Sequence, residues 1–154
     1  MSPNYHAKHS ISISRPAPQV TEWLSDLSKW PQWLAISQFD SDKQLSLSAQ
    51  GQGVGANLFW SAHYTYGELS ITQQTTDKVQ FQLLINNEFL SDGIITITST
   101  GSGCTITWEQ TGDISIPVLG PYLALLAEHQ LQNTLIHSLN NLKTNAELPT
   151  LEIE

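Results

Sequence analysis

The sequence predicts one α+β domain in which a curved antiparallel sheet of about seven strands surrounds a long C-terminal helix. Three observations lead to this prediction: an alternating first strand, a nearly continuous series of strand-like segments from residue 44 to 113, and a helical apolar pattern after them. The 154 residues are the usual length of one domain, long enough to bury a sizeable core. We therefore predict a single domain over 1–154, with its core at about 8–143 and an acidic tail at 144–154.

The first strand is predicted at residues 5–14, because Ile11 and Ile13 alternate with serines. A period of two is typical of a strand with one buried face. Two prolines follow, and apolar residues then recur at helical spacing, which predicts a short helix at 17–27. A second short helical turn is predicted at 30–34, with a proline near its start.

Six further strands are predicted between turn signals rich in glycine, asparagine and aspartate. They lie at 44–49, 55–62, 65–74, 78–85, 91–99 and 104–113. The short gaps between them favour hairpins and therefore an antiparallel order. A final helix is predicted up to about residue 143, because apolar residues three and four positions apart form one face: Leu123, Leu126, Ala127, Leu131, Leu135, Leu139 and Leu142.

These elements predict an internal pocket. Seven strands at about 4.8 Å each make a sheet roughly 34 Å wide, whereas a helix is about 10–12 Å in diameter. One helix cannot cover such a sheet laid flat, so we expect the sheet to curl around the helix and bury its apolar face. The short helices at 17–34 are the only elements available to close one end. The space left between them is the expected place for a small ligand.

The charge distribution argues against nucleic acid and anionic membranes as partners. Six Lys and Arg residues stand singly against fourteen Asp and Glu residues, for a formal net charge of -8, whereas phosphate backbones are bound by clustered cations. No apolar segment approaches the roughly 18 residues that cross a membrane, and the N-terminus lacks an apolar signal segment. We therefore expect no membrane insertion and a cytoplasmic location.

Neither a metal nor a cofactor is expected. The five histidines lack the spacing of metal-binding motifs, and the single cysteine, Cys104, excludes an internal disulfide and a CxxC motif. Cys104 has no histidine or basic residue beside it in the sequence, so we interpret it as an inert small hydrophobic residue.

Four segments, in this order, resemble the helix-grip fold of the START/Bet v1-like (SRPBCC) superfamily: ISISRPAPQVTEWLSDLSKWPQW at 11–33, GQGVGANLFW at 51–60, GCTITWEQTGD at 103–113 and HSLNNLK at 137–143. More narrowly, they resemble its polyketide cyclase/dehydrase-like branch. The resemblance covers nearly the whole chain and implies a pocket for lipids, polyketides, sterols or similar apolar molecules. It implies no reaction, because the superfamily includes carriers, enzymes and partner-binding proteins, and function must be argued from the site.

The predicted pocket lining combines strand residues with the apolar face of the last helix. It consists of Trp60, Tyr66, Phe81, Leu83, Ile95, Trp108, Leu123, Ala127, Leu131 and Leu135. The sequence leaves open whether Trp60 and Trp108 face the pocket or the outside. Trp23, Trp30 and Trp33 are instead predicted to anchor the two short helices to the sheet, because large aromatic side chains dominate core packing.

Candidate catalytic groups are few: His63, Tyr64, Tyr66, Glu68 and Glu109. A general acid or base needs partial burial to bring its pKa toward neutrality, and the simpler interpretation of the carboxylates is that they are solvated charges on strand faces. The leading hypothesis is therefore binding of a small hydrophobic molecule, such as a lipid, polyketide, quinone or sterol-like compound, in an internal cavity. A cyclase/dehydratase-type enzyme acting on such a ligand is the alternative. A protein-interaction module is a second alternative, and a homodimer remains open.

Overall fold

The structure, a computed structural model, describes residues 4–34, 46–50, 53–61, 66–85, 89–113 and 120–148. The elements follow in the predicted order: β1 (Asn4–Ile13), α1 (Ala17–Ser25), a 3₁₀ helix (Leu27–Gln32), β2 (Ser46–Gln50), β3 (Asn57–Ser61), β4 (Tyr66–Gln74), β5 (Lys78–Ile85), β6 (Phe89–Thr100), β7 (Gly103–Asp113) and α2 (Gly120–Glu147). The α+β class and the grip of a sheet on the last helix are confirmed.

The seven strands form one curved, open antiparallel sheet in the order β1-β7-β6-β5-β4-β3-β2. Strands β2 to β7 are neighbours in chain order, which confirms the predicted series of hairpins, and β1 returns to pair with β7 at the opposite edge. One face of the sheet, called the inner face here, carries the buried core residues, and the outer face carries exposed and half-buried ones. On β7, for example, Cys104, Ile106, Trp108 and Gln110 are inner and the residues between them are outer.

The strand register also defines two ends of the sheet. The last residue of β1, the β4–β5 turn and the β6–β7 turn lie at one end. Helix α1 packs at this end, where the Thr21 hydroxyl lies 3.4 Å from the carbonyl oxygen of Thr76. We call this end the helix-pair end. The first residues of β4 and β6 and the last residues of β3, β5 and β7 lie at the opposite end, called the far end.

The two short helices form because of local signals around them. Pro16 is the N-cap of α1, and a second proline occupies its first turn, where no backbone N–H is needed. Asp26 separates α1 from the 3₁₀ helix and caps the latter by accepting a hydrogen bond from the Ser28 N–H at 3.0 Å. Two asparagine amides of α2, Asn141 and Asn145, donate to backbone carbonyls of this segment, which fixes the helix pair to α2.

Helix α2 closes the free edge of β1 with its side chains. The Gln132 amide accepts from the Lys8 N–H at 3.2 Å and donates to the Lys8 carbonyl at 2.8 Å. Further along the same edge, Lys143 Nζ donates to the carbonyl of Ser12 at 2.7 Å. An unpaired strand edge invites pairing with another chain, and these contacts occupy it.

The end of α2 differs from the prediction. The helix continues to Glu147 rather than ending near residue 143, so the first residues assigned to an acidic tail belong to it. The Glu147 carboxylate accepts from Lys143 Nζ at 2.6 Å, one helical turn back, and from the Ser14 N–H at 2.7 Å. The apolar pattern fades after Leu142, so these polar contacts, rather than an apolar stripe, hold the last turn.

Candidate functional site

Four aromatic rings fill the interior between the helix pair and the middle of the sheet. Trp30 and Trp33 come from the 3₁₀ helix and its C-cap, and their ring centroids are 4.7 Å apart. The Trp30 ring meets Phe81 on β5 edge-on at 5.3 Å, and the Trp33 ring meets Trp108 on β7 at 6.1 Å. Phe81 and Trp108 also contact each other at 5.9 Å. Such tilted and edge-on pairs are the favoured aromatic geometries, and all four side chains are buried.

The aromatic cluster explains the roles of the tryptophans. Trp30 and Trp33 anchor the helix pair to the sheet, as predicted, and the Trp30 indole also donates to the Leu24 carbonyl at 3.0 Å. Trp23 is half-buried, and Lys29 Nζ lies 5.6 Å from the centre of its ring. The sequence left open whether Trp108 faces inward or outward, and in the structure its side chain faces the interior.

A buried chain of hydrogen bonds runs from the aromatic cluster toward the far end. The Trp108 indole N–H donates to Gln110 Oε1 at 2.9 Å, and Gln110 Nε2 donates to Ser91 Oγ at 2.8 Å. All three side chains are at most 3% exposed. Gly93 makes this chain possible, because a Cβ there would lie 2.3 Å from Phe81 Cζ and 2.4 Å from Gln110 Oε1.

Beyond Gln110, the inner face of β6 and β7 changes from large side chains to small ones. The next row across β7, β6 and β5 consists of Gly112, Ser91 and Leu83. Leu83 is only partly buried although it faces inward, whereas Phe81 and Val79 on the same strand are completely buried. Accessible space therefore adjoins Leu83, whereas Ser91 beside it is 2% exposed and Leu69, the partner of Leu83 on β4, is completely buried.

The remaining predicted lining residues fall into two groups. Ile95 and Leu135 are completely buried core residues. The side chains of Trp60, Leu123, Ala127 and Leu131 lie outside the described part of the structure, which for these residues covers the backbone only. The register pairs the backbone of Trp60 with Gly67 at the far end of β3 and β4.

Tyr66 corrects the prediction. Its side chain is 54% exposed and shares the outer face with Glu68, because its neighbour Gly67 occupies the inner position. It therefore does not line the interior. The physical reason is that side chains of a strand point to alternate faces. Leu69 and Ile71 of β4 point inward, so residues 66 and 68 point outward.

The described catalytic candidates do not converge in the interior. Glu68 and Glu109 are half-buried residues of the outer face, and His63 and Tyr64 lie outside the described residues. Glu109 contacts His6 Nε2 at 2.5 Å, and this hydrogen bond, together with the charges of His6 and Lys8, lowers the pKa of the carboxyl group. A lowered pKa stabilises a carboxylate and disfavours proton donation, so Glu109 is an ordinary surface charge.

A groove of about 380 Å³ also lies on the outer face, lined mainly by polar residues of β4 to β7. It is open to solvent on the outer face, so it differs from the internal pocket that the sequence predicts. No group of three or more histidine, cysteine or acidic side chains in the described ranges could hold a metal ion. Cys104 is completely buried, and burial raises the pKa of its thiol, which keeps it protonated and unreactive.

Sequence reasoning missed the buried polar residues Ser91 and Gln110. Gln110 stands two positions after Trp108, so alternation places both on the same face, and this signal was available. No such signal predicted the hydrogen bond between Gln110 and Ser91, because 19 residues separate the two and only the β6–β7 register brings them together. Two further polar residues, Thr134 and Ser138, are buried one turn apart on α2 beside its leucines.

A sheet curved around a long helix and closed at one end by a helix pair is the helix-grip architecture. Residues 5–147 match the family model described as "Polyketide cyclase / dehydrase and lipid transport", and the chain belongs to this family. No curated protein sequence matches the chain significantly. None of the described helices is long and apolar enough to cross a membrane.

Solved structures support the same architecture. The truncated norcoclaurine synthase of Thalictrum flavum is similar with a TM-score of 0.69 and 14% identity, over 97% of this chain and 97% of that chain. The di-domain ARO/CYC protein StfQ of the steffimycin biosynthetic pathway is similar with a TM-score of 0.69 and 15% identity, over 94% of this chain and 51% of StfQ. DynU16 of the dynemicin biosynthetic locus is similar with a TM-score of 0.66 and 14% identity, over 93% of this chain and 47% of DynU16. This chain thus spans about half the length of the last two, and at these identities the similarity shows the fold.

Proposed function

We propose that this protein binds a small hydrophobic molecule inside the sheet, at the far end beyond the aromatic cluster. The observation that carries the proposal is the change in side-chain size along the inner face. Large rings fill the interior from the helix pair to the middle of the sheet, whereas on β7, β6 and β5 the next row consists of Gly112, Ser91 and a partly accessible Leu83. A concave, mainly apolar space with a few polar groups is the usual form of a small-molecule site.

The class of ligand follows from the chemistry of this surface and from the family. The described inner face carries aliphatic and aromatic side chains with a few buried polar groups, so a neutral molecule that is mostly apolar fits it best. The family description names polyketide cyclisation and lipid transport, which supports a lipid or polyketide-like compound. The formal net charge of -8 disfavours strongly anionic ligands.

The test places a large side chain in the proposed site. Leu83→Trp adds a large ring at the partly accessible inner position, whereas Leu84→Trp adds the same ring one residue away on the outer face. We expect the first variant to lose binding of Nile red, a neutral hydrophobic dye, and the second to keep it. Native mass spectrometry of the purified protein should also show a bound small molecule. Equal dye binding by both variants, or none by the unmodified protein, would contradict the proposal.

A cyclase/dehydratase-type reaction on such a ligand is the second candidate. The family description and the names of norcoclaurine synthase and StfQ favour it. Tyr66, Glu68 and Glu109 give it no support because they lie on the outer face. His9, a half-buried inward residue of β1 paired with Trp108, and Ser91 are the described inner-face groups that could move a proton. A ligand recovered chemically unchanged after prolonged incubation with the protein would argue for binding alone.

The other partner predictions concern proteins and nucleic acid. A homodimer and a protein-interaction role remain predictions, and sedimentation equilibrium with and without ligand tests the first. We expect no binding to a duplex DNA oligonucleotide at physiological salt, because the cations are scattered singly along the sequence.

A further inference from the structure

We infer that the buried chain Trp108–Gln110–Ser91 presents a hydrogen-bond donor to the bound molecule, so that the site selects apolar ligands carrying an acceptor oxygen, such as a ketone. The inference rests on the proposed function, because it assigns a polar contact within the same site. It concerns three side chains that are nearly completely buried and connected by two hydrogen bonds of 2.9 and 2.8 Å.

The direction of this chain is fixed by its first member. The indole N–H of Trp108 can only donate, so the group of Gln110 that faces it must be the amide oxygen. The amide nitrogen of Gln110 therefore faces Ser91, and it too can only donate. Ser91 Oγ consequently accepts, and the hydrogen of its hydroxyl group is directed away from Gln110.

The position of Ser91 determines where that hydrogen can be used. The register sets Ser91 one row closer to the far end than Gln110, between Gly112 on β7 and Leu83 on β5. Gly112 has no side chain and Leu83 is apolar, so neither neighbouring side chain in the row accepts a hydrogen bond. A buried hydroxyl donor is costly to leave unsatisfied, and a carbonyl oxygen of the ligand would satisfy it.

The rest of the interior makes this contact selective. Inward neighbours of the chain on the sheet are the rings of the aromatic cluster and aliphatic residues such as Ile95. A ligand oxygen placed against these apolar side chains would lose its water without a partner, whereas an oxygen at Ser91 keeps one hydrogen bond. A hydrogen bond typically contributes about 0.5–1.5 kcal/mol, so the preference is expected to be roughly 3- to 10-fold in Kd.

The experiment compares two probes that differ in one oxygen: 2-acetylnaphthalene, a ketone, and 2-ethylnaphthalene, which has a methylene group in its place. Displacement of Nile red gives the Kd of each for the unmodified protein, for Ser91→Ala and for Ser99→Ala, which removes a hydroxyl at the exposed end of the same strand. We expect the unmodified protein and Ser99→Ala to bind the ketone roughly 3- to 10-fold more tightly. We expect Ser91→Ala to lose this preference and to bind 2-ethylnaphthalene at least as tightly as the ketone, because the ketone oxygen then has no partner.

The outcomes separate this inference from the proposed function. Equal binding of both probes by the unmodified protein, or a ketone preference that survives in Ser91→Ala, overturns the inference and leaves the hydrophobic site standing. A protein that binds neither probe nor Nile red contradicts the proposed function, and the inference fails with it. Ser91→Thr keeps a hydroxyl group and is expected to keep the preference. Ser91→Thr serves as the second variant if Ser91→Ala unfolds. A folded Ser91→Thr protein that does not prefer the ketone also counts against the inference.

Discussion

Gln132 hydrogen-bonds both backbone groups of Lys8, through its amide oxygen and its amide nitrogen, and so takes the place that a neighbouring strand would occupy on β1. The two residues are 124 positions apart in the chain, and the contact connects the last helix to the first strand. A side-chain amide suits this role because it carries one acceptor and one donor group, as a peptide unit does.

Replacing Gln132 should therefore loosen the edge of the sheet. Gln132→Ala removes two hydrogen bonds that are open to solvent, and we expect a loss of about 1 kcal/mol in the free energy of unfolding. The Lys8 amide should exchange its hydrogen faster, as measured by NMR. Asn140→Ala, at an exposed position of the same helix, is the control and should change neither quantity. Unaltered Lys8 exchange in Gln132→Ala would show that the edge is protected in another way.

The aromatic cluster predicts unequal costs for removing two tryptophans. Trp30→Ala leaves a large cavity among completely buried rings, and we expect it to reduce the free energy of unfolding by about 3–5 kcal/mol in urea titrations. Trp23→Ala removes a half-buried ring and its contact with Lys29, for which we expect about 1 kcal/mol. Similar losses in the two variants would mean that Trp30 does not hold the helix pair on the sheet.

Gly93 should tolerate no side chain. In Gly93→Ala, the added methyl group would displace the Phe81 ring and the Gln110 amide, and overpacking of this kind costs about 1–3 kcal/mol. We expect a lower midpoint of thermal unfolding and altered near-ultraviolet circular dichroism, because the Trp108 indole loses its fixed partner. Thr98→Ala, on the outer face of the same strand, is the matched control. A variant as stable as the unmodified protein would mean that the strand can shift to make room.

The pH dependence of stability should report on Glu147. Hydrogen bonds from Lys143 and the Ser14 N–H, together with the charges of Lys143 and Arg15, lower its pKa below the ordinary 4.5. A carboxyl group whose pKa is lower in the folded protein adds stability above its ordinary pKa, and this stability disappears as the pH falls through the folded value. Glu147→Gln should thus be less stable than the unmodified protein at pH 7, by about 0.5–1 kcal/mol.

The difference should begin to shrink near pH 4.5 and vanish once Glu147 is protonated in the folded protein. Urea titrations at several pH values measure it, with Glu22→Gln on the exposed face of α1 as the control. A difference that stays constant down to acidic pH would show that the loss comes from packing rather than from charge.

Much of the fold could be predicted because each element carries a local signal. The alternation around Ile11 and Ile13 gave β1, and the heavy aromatic content of the helix pair pointed to anchoring by Trp30 and Trp33. The alternation of β4 was harder to predict: Tyr66 was expected to line the pocket, whereas Gly67 occupies the inner side and Tyr66 the outer one.

The polar part of the candidate site could not be predicted for a different reason. Which polar residue is buried depends on register between strands, as for Gln110 and Ser91, and register is a property of pairs of segments rather than of either one. The same holds for the Gln132–Lys8 contact, in which two unremarkable surface residues gain a role through docking of distant elements.

The separation between the packed helix-pair end and the small-residue row at the far end has a consequence for how such a protein can change. On the proposed function, substitutions near Leu83 and Gly112 should alter ligand recognition and leave the rings of the aromatic cluster in place. Ligand recognition and stability would then depend on different parts of the same strands. In such a scaffold, mutations at the far end could change the ligand while the packing at the helix-pair end continues to stabilise the fold.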